Sequence, residues 1–362
     1  MTLKVLSKSR PTMLKLLTWL VPLAVLALVP MFIDNIYVIH ILTLANIYAI
    51  LAVSWDLISG YTGQVSLGHA LFFGGGGYAS AFLAMWYGVP PPVCPLISGA
   101  LMAAISLIVG APCLRLSGPY LAIATLAFAE AFRSIVIALP HITRGDEGMP
   151  LKALMLGTVP NYYTSLVLMI IIVMVIHLIA NHYFRLPFIA VRENEVAARA
   201  SGIDVTKYRL LSFTLSAFFA GIAGSFYAFY RMAITPEELS IDTSIMPLTM
   251  AVVGGMGTVS GPVLGAYILV FLTESLRVLI YRIRILIYAA LTVAFIMLMP
   301  GGILGALRGL VKRTPFSQAK VPGAHPTTLI GHSKPATRDA HVLAGLVVWS
   351  ACLIIWRLMA GI

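Results

Sequence analysis

Two pairs of opposite charges interrupt otherwise apolar stretches of the sequence. Glu130 and Arg133 stand three residues apart, and Glu274 and Arg277 repeat the arrangement. In a helix this spacing places both side chains on one face, and a charge inside a membrane-spanning helix costs ~3 kcal/mol on insertion scales. Each pair therefore either neutralises itself near a helix end or supplies a proton relay or a solute contact. A further charge, Asp56, is expected to reach water from the end of its helix.

A glycine-rich stretch from residue 60 to residue 78 also carries hydrogen-bonding side chains. Gln64, Ser66 and His69 stand beside Gly63 and Gly68. Glycine at this density inside an apolar segment either lets helices approach closely or breaks a helix so that its backbone lines a cavity. The stretch has no lysine and no strand–turn–helix context, which excludes a phosphate-binding loop. Helix packing and the lining of a translocation pathway both remain open for these residues.

A second glycine-rich stretch, residues 254–265, repeats part of this pattern. The segment from Gly63 to Ser66 reads Gly-Gln-Val-Ser, and the segment from Gly257 to Ser260 reads Gly-Thr-Val-Ser. Paired interrupted helices can mark the binding site of a transporter built from internal repeats. Gly257 and Ser260 therefore join the candidate pathway residues.

One polar stretch, residues 190–209, stands out in the middle of the apolar sequence. It holds four good helix formers, and Gly202 can supply the left-handed residue that closes a helix. Asp204 can then cap the helix that follows. A short helix lying on the membrane surface could fit a groove on a partner and transmit its motion; a solvated loop helix is the alternative. The four helix formers are Glu193, Glu195, Ala197 and Ala198.

The sequence lacks the patterns that carry catalysis or bind a cofactor. No nucleophile elbow, metal-ligand spacing or ATP-binding loop occurs, so neither an enzyme nor a cofactor-binding chain is expected. The cysteines Cys94, Cys113 and Cys352 lie far apart in or beside apolar segments. They are expected to act as small hydrophobic residues, and no metal site is predicted.

The composition predicts an all-α integral membrane protein. Of 362 residues, 60% are hydrophobic and only 10% are charged, against roughly 25% charged in soluble domains. Lipid solvates the apolar exterior that a soluble fold of this length could not hide. The net charge of +11 does not indicate nucleic-acid binding, because the basic residues stand mostly at the ends of apolar runs, as in cytoplasmic loops.

About ten apolar segments approach the length of roughly 20 residues that spans a bilayer. The eighth is too short to span alone, so broken or re-entrant helices are expected. The segments are Leu14–Ile33, Ile36–Ile58, Ser66–Tyr87, Val93–Leu114, Tyr120–Leu139, Tyr162–His182, Tyr208–Tyr230, Ile245–Met256, Gly261–Tyr281 and Ile285–Leu304.

The distribution of Lys and Arg predicts a cytoplasmic N-terminus. The first helix is expected to be retained, because Leu14–Ile33 approaches spanning length and no small-residue cleavage site follows it. The connection after the sixth segment and the end of the tenth are both basic and then lie in the cytoplasm, whereas Arg282 and Arg284 fall on the outside as exceptions. Residues 1–310 are predicted to form the membrane domain, with a cytoplasmic loop at about 183–209. Residues 311–341 are read as a polar linker. Residues 342–362 form either an extra apolar helix or an interfacial segment.

Five of these stretches, in this order, resemble one known family. They are residues 60–78, 125–133, the Glu193–Gly202 helix leading into 216–228, 253–265, and Met299 to Gly302. The chain is similar over about residues 36–305 to the permease subunit of bacterial branched-chain amino acid ABC importers. The tail beyond Arg313 departs from the family, which usually ends soon after the last stretch.

The resemblance implies an ABC importer permease fold in the bacterial inner membrane and a set of partners. These are a sister permease, two cytoplasmic ATPases that bind ATP and Mg, a periplasmic binding protein and the membrane lipid, but no nucleic acid. It also implies that the residues Glu193, Glu195, Ala197, Ala198 and Gly202 form the loop that couples to the ATPase. Val196 stands where the general motif has its first Ala.

Two alternative functions remain open. Related permeases serve urea and short amides, so the solute need not be an amino acid. A stand-alone ion-coupled secondary transporter would instead use Glu130 and Glu274 as its proton or ion sites. An intramembrane enzyme is disfavoured because the nucleophile and metal patterns are missing.

Overall fold

The computed structural model describes residues 24–32, 35–116, 118–279 and 302–303, and for residues 276–279 it describes the backbone alone. Most of the first and tenth predicted segments lie outside the described residues. So do the predicted linker 311–341 and the segment 342–362. The number of about ten segments therefore stays a prediction.

Helices dominate the described part of the chain, because a backbone in lipid must satisfy its hydrogen bonds internally. Residues 24–32 are helical, and two short strands, β1 (Met149–Pro150) and β2 (Ala233–Ile234), pair antiparallel. The helices that follow are α1 (Ile36–Thr62), α2 (His69–Trp86), α3 (Cys94–Cys113), α4 (Pro119–Ala138), α5 (Pro140–Thr143), α6 (Thr158–Leu178), α7 (Arg185–Glu193), α8 (Glu195–Ala200), α9 (Val205–Arg231), α10 (Ile241–Gly254) and α11 (Ser260–Leu279).

Five of the described helices are long and apolar enough to cross a membrane. They are α1, α3, α4, α9, and α6 together with the π-helical turn Ile179–Tyr183. In the most apolar part of each helix, 78% of α1 and 72% of α9 is buried, against 28% of α4. The centre of the bundle is therefore built on α1 and α9, and α4 lies at its surface. The predicted class, an all-α membrane protein, is confirmed.

Glycines bring α2 against α9 at the centre of the bundle. A Cβ on Gly76 would lie 2.3 Å from the carbonyl oxygen of Gly221, and one on Gly224 would lie 1.7 Å from that of Phe73. No larger side chain fits at these positions without moving the backbone. Close helix approach, one of the two readings of the glycine-rich stretch, therefore accounts for its later glycines.

The chain turns back into the bundle after α9. Strand β2 and a 3-10 helix, Pro236–Leu239, run beside α2 towards its start before α10 begins. Three contacts mark the route: Gly77 with Ile234, Gly74 with Leu239, and the Ala70 amide with the Ser244 hydroxyl. Helix α10 has 14 residues, about 21 Å at 1.5 Å per residue, which is short of a ~30 Å hydrocarbon core. The prediction that the eighth segment cannot span alone is confirmed.

Candidate functional site

The polar stretch folds as two short helices rather than one. Helix α7 ends at Glu193, and Asn194 begins α8 because its extended backbone lets the side chain accept a hydrogen bond from the Ala197 amide at 3.0 Å. The single helix predicted from Glu193 to Gly202 is therefore wrong at its start. The predicted end is confirmed, since Gly202 has a φ of +82°. We call the end of the bundle that carries α7 and α8 the polar-loop end.

One side of helix α8 packs against the bundle, and its opposite side is exposed. Ala198 is buried against Val191 and Val205, and Glu195 forms an ion pair with Arg209 of α9. Asp204 caps α9 by accepting from the Lys207 amide at 3.0 Å, as predicted. On the opposite side Ala197 is exposed and Val196 is 78% exposed, so α8 has a small exposed apolar surface there.

Arg192 links this polar stretch to the end of α1. Its Nη1 donates to the carbonyl oxygen of Gly60 at 2.9 Å, and its Nη2 lies 2.7 Å from the carboxylate of Glu193. From the sequence, Arg192 was only one of the basic residues in the connection after the sixth segment, and this role was missed. The one signal available was its place directly before Glu193, the last residue of α7.

Asp56 is fully buried, with 0% of its surface exposed, so the expectation that it reaches water is wrong. Its two carboxylate oxygens lie 2.9 and 3.2 Å from the backbone nitrogen of Gly257, which donates to them. A buried carboxylate is costly unless hydrogen-bonded, and this amide supplies the partner that solvent would have supplied. Asp56 therefore holds the second glycine-rich stretch against α1.

The two Gly-x-Val-Ser segments meet at Arg192. Gly63 ends α1 with a φ of +75°, and a Cβ there would lie 3.0 Å from Arg192 Cγ. Gly257 has a φ of +71°, and its Cβ would lie 3.3 Å from both Arg192 Nη1 and the Gly60 carbonyl oxygen. After the second segment α11 begins at Ser260. We call Asp56, Gly60, Arg192 and Gly257 the coupling joint.

The remaining candidate pathway residues lie inside the subunit. His69, Ser66 and Gln64 are buried, and a Cβ on Gly68 would meet the Thr125 carbonyl oxygen at 2.8 Å. Their hydrogen bonds tie α1, α2 and α9 together: His69 with Ser216 at 2.7 Å, Trp55 to the Ser66 carbonyl at 2.8 Å, Ser59 to the Gln64 carbonyl at 2.9 Å, and Gln64 to Thr62 at 3.0 Å. Whether they line a pathway stays a prediction.

The pair Glu130 and Arg133 forms as the spacing predicts. The Arg133 Nη1 lies 2.9 Å from Glu130 Oε1, and the Arg133 Nε donates to the carbonyl oxygen of Pro236 at 3.3 Å. Both side chains remain partly exposed, 34% for Arg133 and 43% for Glu130. For the second predicted pair, the Glu274 carbonyl accepts from the Tyr37 hydroxyl at 3.1 Å, and the Arg277 side chain lies outside the described residues.

Comparisons with known proteins match most of the chain. A family model described as "Branched-chain amino acid transport system / permease component" matches residues 37–304. The chain is 32% identical over 290 residues to the high-affinity branched-chain amino acid transport permease LivM of Escherichia coli, covering 72% of this chain and 68% of that protein. It is 32% identical over 270 residues to LivM of Salmonella typhimurium, covering 66% of this chain and 63% of that protein.

A shorter match relates the chain to a second type of permease. Over 115 residues it is 31% identical to a probable branched-chain amino acid transport permease, LivH, of Methanocaldococcus jannaschii, covering 32% of this chain and 36% of that protein. No solved structure matches the chain significantly. About a third of each of these two LivM relatives lies outside its match.

Proposed function

The chain belongs to the family of branched-chain amino acid transport permease components, and from this we propose that it is a membrane subunit of an ATP-driven importer. It forms part of the route by which branched-chain amino acids, delivered by a periplasmic binding protein, cross the inner membrane. The relatives named LivM support this solute over urea or short amides. The N-terminus lies in the cytoplasm, as does the polar-loop end.

The subunit works with partners that supply energy and solute. Because the chain matches permeases named both LivM and LivH, a pair of sister permeases is the expected membrane unit. Two cytoplasmic ATPases are expected to bind ATP and Mg, and no site for either is proposed in this chain. Helix α8 offers its exposed apolar side to the ATPase, while Ala198 and Glu195 fix its other side to the bundle.

The observation that carries this proposal is the bond from Arg192 to the Gly60 carbonyl. It ties the stretch that meets the ATPase to both glycine interruptions of the bundle, because Gly257 is held to the same point by Asp56. Because of these contacts, a displacement of α7 and α8 also moves the ends of α1 and α10. A flexible loop without them would absorb the displacement. ATP-driven closure of the ATPases can in this way reopen the bundle on one side.

The test is Arg192→Ala in the full complex, reconstituted in vesicles with ATPases, sister permease and binding protein. ATP hydrolysis should persist, while leucine uptake should fall about tenfold or more, because the driving motion no longer reaches the interrupted helices. Arg192→Lys should recover part of the uptake, since an ammonium can still donate to the carbonyl. Arg115→Ala, an exposed cation between α3 and α4, is the matched control and should leave uptake unchanged.

Two outcomes would contradict the proposal. Uptake and hydrolysis that both stay normal in Arg192→Ala would remove the coupling joint as the route of motion. Concentrative uptake by the purified subunit alone, in vesicles without any nucleotide hydrolase, would replace an ATP-driven importer by an ion-coupled transporter. In that event neutralising Glu130 and Glu274 should abolish the dependence on an ion gradient.

A further inference from the structure

We propose that Arg133, Glu130 and Glu237 form a contact site for the zwitterion of the transported amino acid, at mid-height on one face of the bundle. The inference rests on the proposed function and adds the residues that meet the solute. Arg133 binds the carboxylate, and the two glutamates bind the ammonium group.

Measured along the helices, the charge pair lies away from the two ends of the bundle. Gly75 of α2 packs against Phe132, the residue before Arg133, and the next glycine, Gly76, packs against Gly221. Gly221 lies near the middle of α9 (Val205–Arg231), the long helix at the centre of the bundle. The pair is therefore level with the middle of α9, although Arg133 itself stands in the last third of α4.

Residues 233–239, where the chain turns back into the bundle after α9, bring further polar groups to the same height. The Pro236 carbonyl accepts from Arg133, and Leu239, at the other end of this 3-10 helix, packs on Gly74 of α2. Between them the Glu237 side chain is exposed, whereas Glu238 turns inward and accepts from the amide and hydroxyl of Thr235. The carboxylate of Glu238 is thus bonded within the fold, whereas the exposed carboxylate of Glu237 can bind a ligand.

This face does not suit lipid. Helices that face acyl chains expose apolar residues, and partly exposed charges at this depth are strongly disfavoured there. Glu130, Arg133 and Glu237 are all partly or fully exposed, so water or another protein must cover them. A water-lined solute path satisfies that condition and gives the charges a use.

The site has unused hydrogen-bonding capacity of the right kind. A guanidinium offers five N–H donors in a planar fork that fits a carboxylate. Within the described residues, the donors of Arg133 reach Glu130 through Nη1 and Pro236 through Nε, which leaves the Nη2 edge open. Glu130 Oε2 and the Glu237 carboxylate can accept from an ammonium group. Without solute, Arg133 and Glu130 neutralise each other, and with solute each exchanges its partner for the matching end of the zwitterion.

Cysteine labelling tests which surface this is. Ser134 is exposed on α4 beside Arg133, so Ser134→Cys reports on the face while leaving all three charges in place. The probe is introduced with Cys94, Cys113 and Cys352 replaced by Ser, in the assembled complex. We expect a water-soluble methanethiosulfonate to label Cys at 134 and leucine to slow the labelling during turnover. Ile108→Cys, on the strongly exposed side of α3, should react only with a membrane-soluble maleimide.

Three labelling results would overturn the inference. Reaction at 134 with the membrane-soluble reagent alone would make this a lipid-facing surface. Reaction in the isolated subunit but not in the complex would make it a contact with the sister permease. Labelling by the water-soluble reagent that leucine does not slow would show a wet surface with no solute on it.

A charge exchange separates solute contact from a structural ion pair. Arg133→Gln should lower leucine uptake at least about tenfold, with binding-protein-stimulated ATP hydrolysis retained. The double variant Glu130→Arg with Arg133→Glu keeps an ion pair but moves the guanidinium away from Pro236 and Glu237, so it should stay inactive. Recovery of uptake in the double variant would overturn the inference. Failure of the wild-type complex to take up leucine with ATP would instead count against the proposed function.

Discussion

The coupling joint and the Glu130–Arg133 face use the same three groups in opposite ways. In each, an arginine binds a backbone carbonyl and a nearby glutamate: Arg192 binds Gly60 and Glu193, and Arg133 binds Pro236 and Glu130. The groups around them differ. The two ion pairs themselves are similarly exposed, 39% and 64% for Arg192 and Glu193 against 34% and 43% for Arg133 and Glu130. What differs is the surroundings of the carbonyl, because the buried Asp56 and the backbone of Gly257 lie beside Gly60.

That difference indicates what each region can do. Where a charge is buried and its partner is the backbone, the contact holds two segments together and has no room for a third molecule. Where a partly exposed ion pair has no such buried contact beside it among the described residues, it can open at little cost, because an exposed ion pair contributes only ~0–1 kcal/mol. Under the two proposals made above, the same residue types serve a mechanical contact at one end of the bundle and a binding surface at mid-height.

The largest effect is expected from closing the space inside the coupling joint. A Cβ on Gly60 would lie 2.0 Å from Asp56 Oδ1 and 2.5 Å from the Gly257 nitrogen, so Gly60→Val must separate α1 from the second glycine-rich stretch. Uptake should fall to background, and the amount of folded complex after detergent extraction should drop. Gly88→Asn is the control, since a Cβ there meets nothing within 4 Å and Asn tolerates its φ of +62°. Normal uptake in Gly60→Val would mean that the two segments need not touch.

A bulky residue at Gly202 tests the end of α8, the helix that follows Arg192 and Glu193 in the chain. A Cβ at Gly202 meets nothing within 4 Å, so Gly202→Val acts through its φ of +82° alone, with a strain of roughly 1–2 kcal/mol for an L residue. Because the strain tilts α8, uptake should fall severalfold per ATP hydrolysed while insertion stays normal. Gly202→Asn should be milder. Unchanged uptake in Gly202→Val would count against α8 as the docking element.

Two replacements of Asp56 distinguish the contribution of its charge to stability from that of its hydrogen bond. Asp56→Asn keeps an acceptor for the Gly257 amide, whereas Asp56→Ala leaves that part-buried amide without its partner, at a cost of at most ~1–3 kcal/mol. In thermal unfolding of the detergent-solubilised complex, the melting temperature should therefore fall clearly in Asp56→Ala and much less in Asp56→Asn. Equal losses in the two variants would mean that the charge near Arg192, and not the bond to Gly257, sets the contribution of Asp56.

The smallest effect should come from Glu193, the acidic partner of Arg192. Its side chain is 64% exposed, so Glu193→Ala should change uptake by less than about twofold, because Arg192 keeps its bond to the Gly60 carbonyl. Glu130→Ala removes the equivalent partner of Arg133 and should lower uptake far more if that face meets the solute. The measurement is leucine uptake at matched expression. Equal uptake in the two variants would mean that the two glutamates do not differ in their importance for transport.

Local patterns predicted the outlines of the fold well. Apolar runs placed the long helices, and the Glu130–Arg133 spacing placed one ion pair, because both depend on helix geometry within a short stretch. Gly202 and Asp204 were found because caps have local signals. The short helix α10 was recognised from its length alone.

Contacts between distant stretches could not be predicted in the same way. Nothing near Asp56 indicates that its partner is an amide 201 residues away, so the general rule for charges near helix ends gave the wrong answer. Asn194 was overlooked because a polar residue inside a charged run looks like any other, although Asn is a favoured N-cap. The two glycine segments shared a pattern, but only the fold shows that they touch at Arg192.

The Asp56–Gly257 bond also bears on how the subunit is made. Helix α1 leaves the ribosome long before the loop that holds Gly257, so a newly inserted α1 carries a carboxylate whose backbone partner has not yet been synthesised. Until Gly257 has been synthesised, the Asp56 carboxylate needs water or the insertion machinery as its hydrogen-bonding partner. Completion of this one contact is therefore a natural checkpoint, and chains that stop before residue 257 should be recognised as unfinished and degraded.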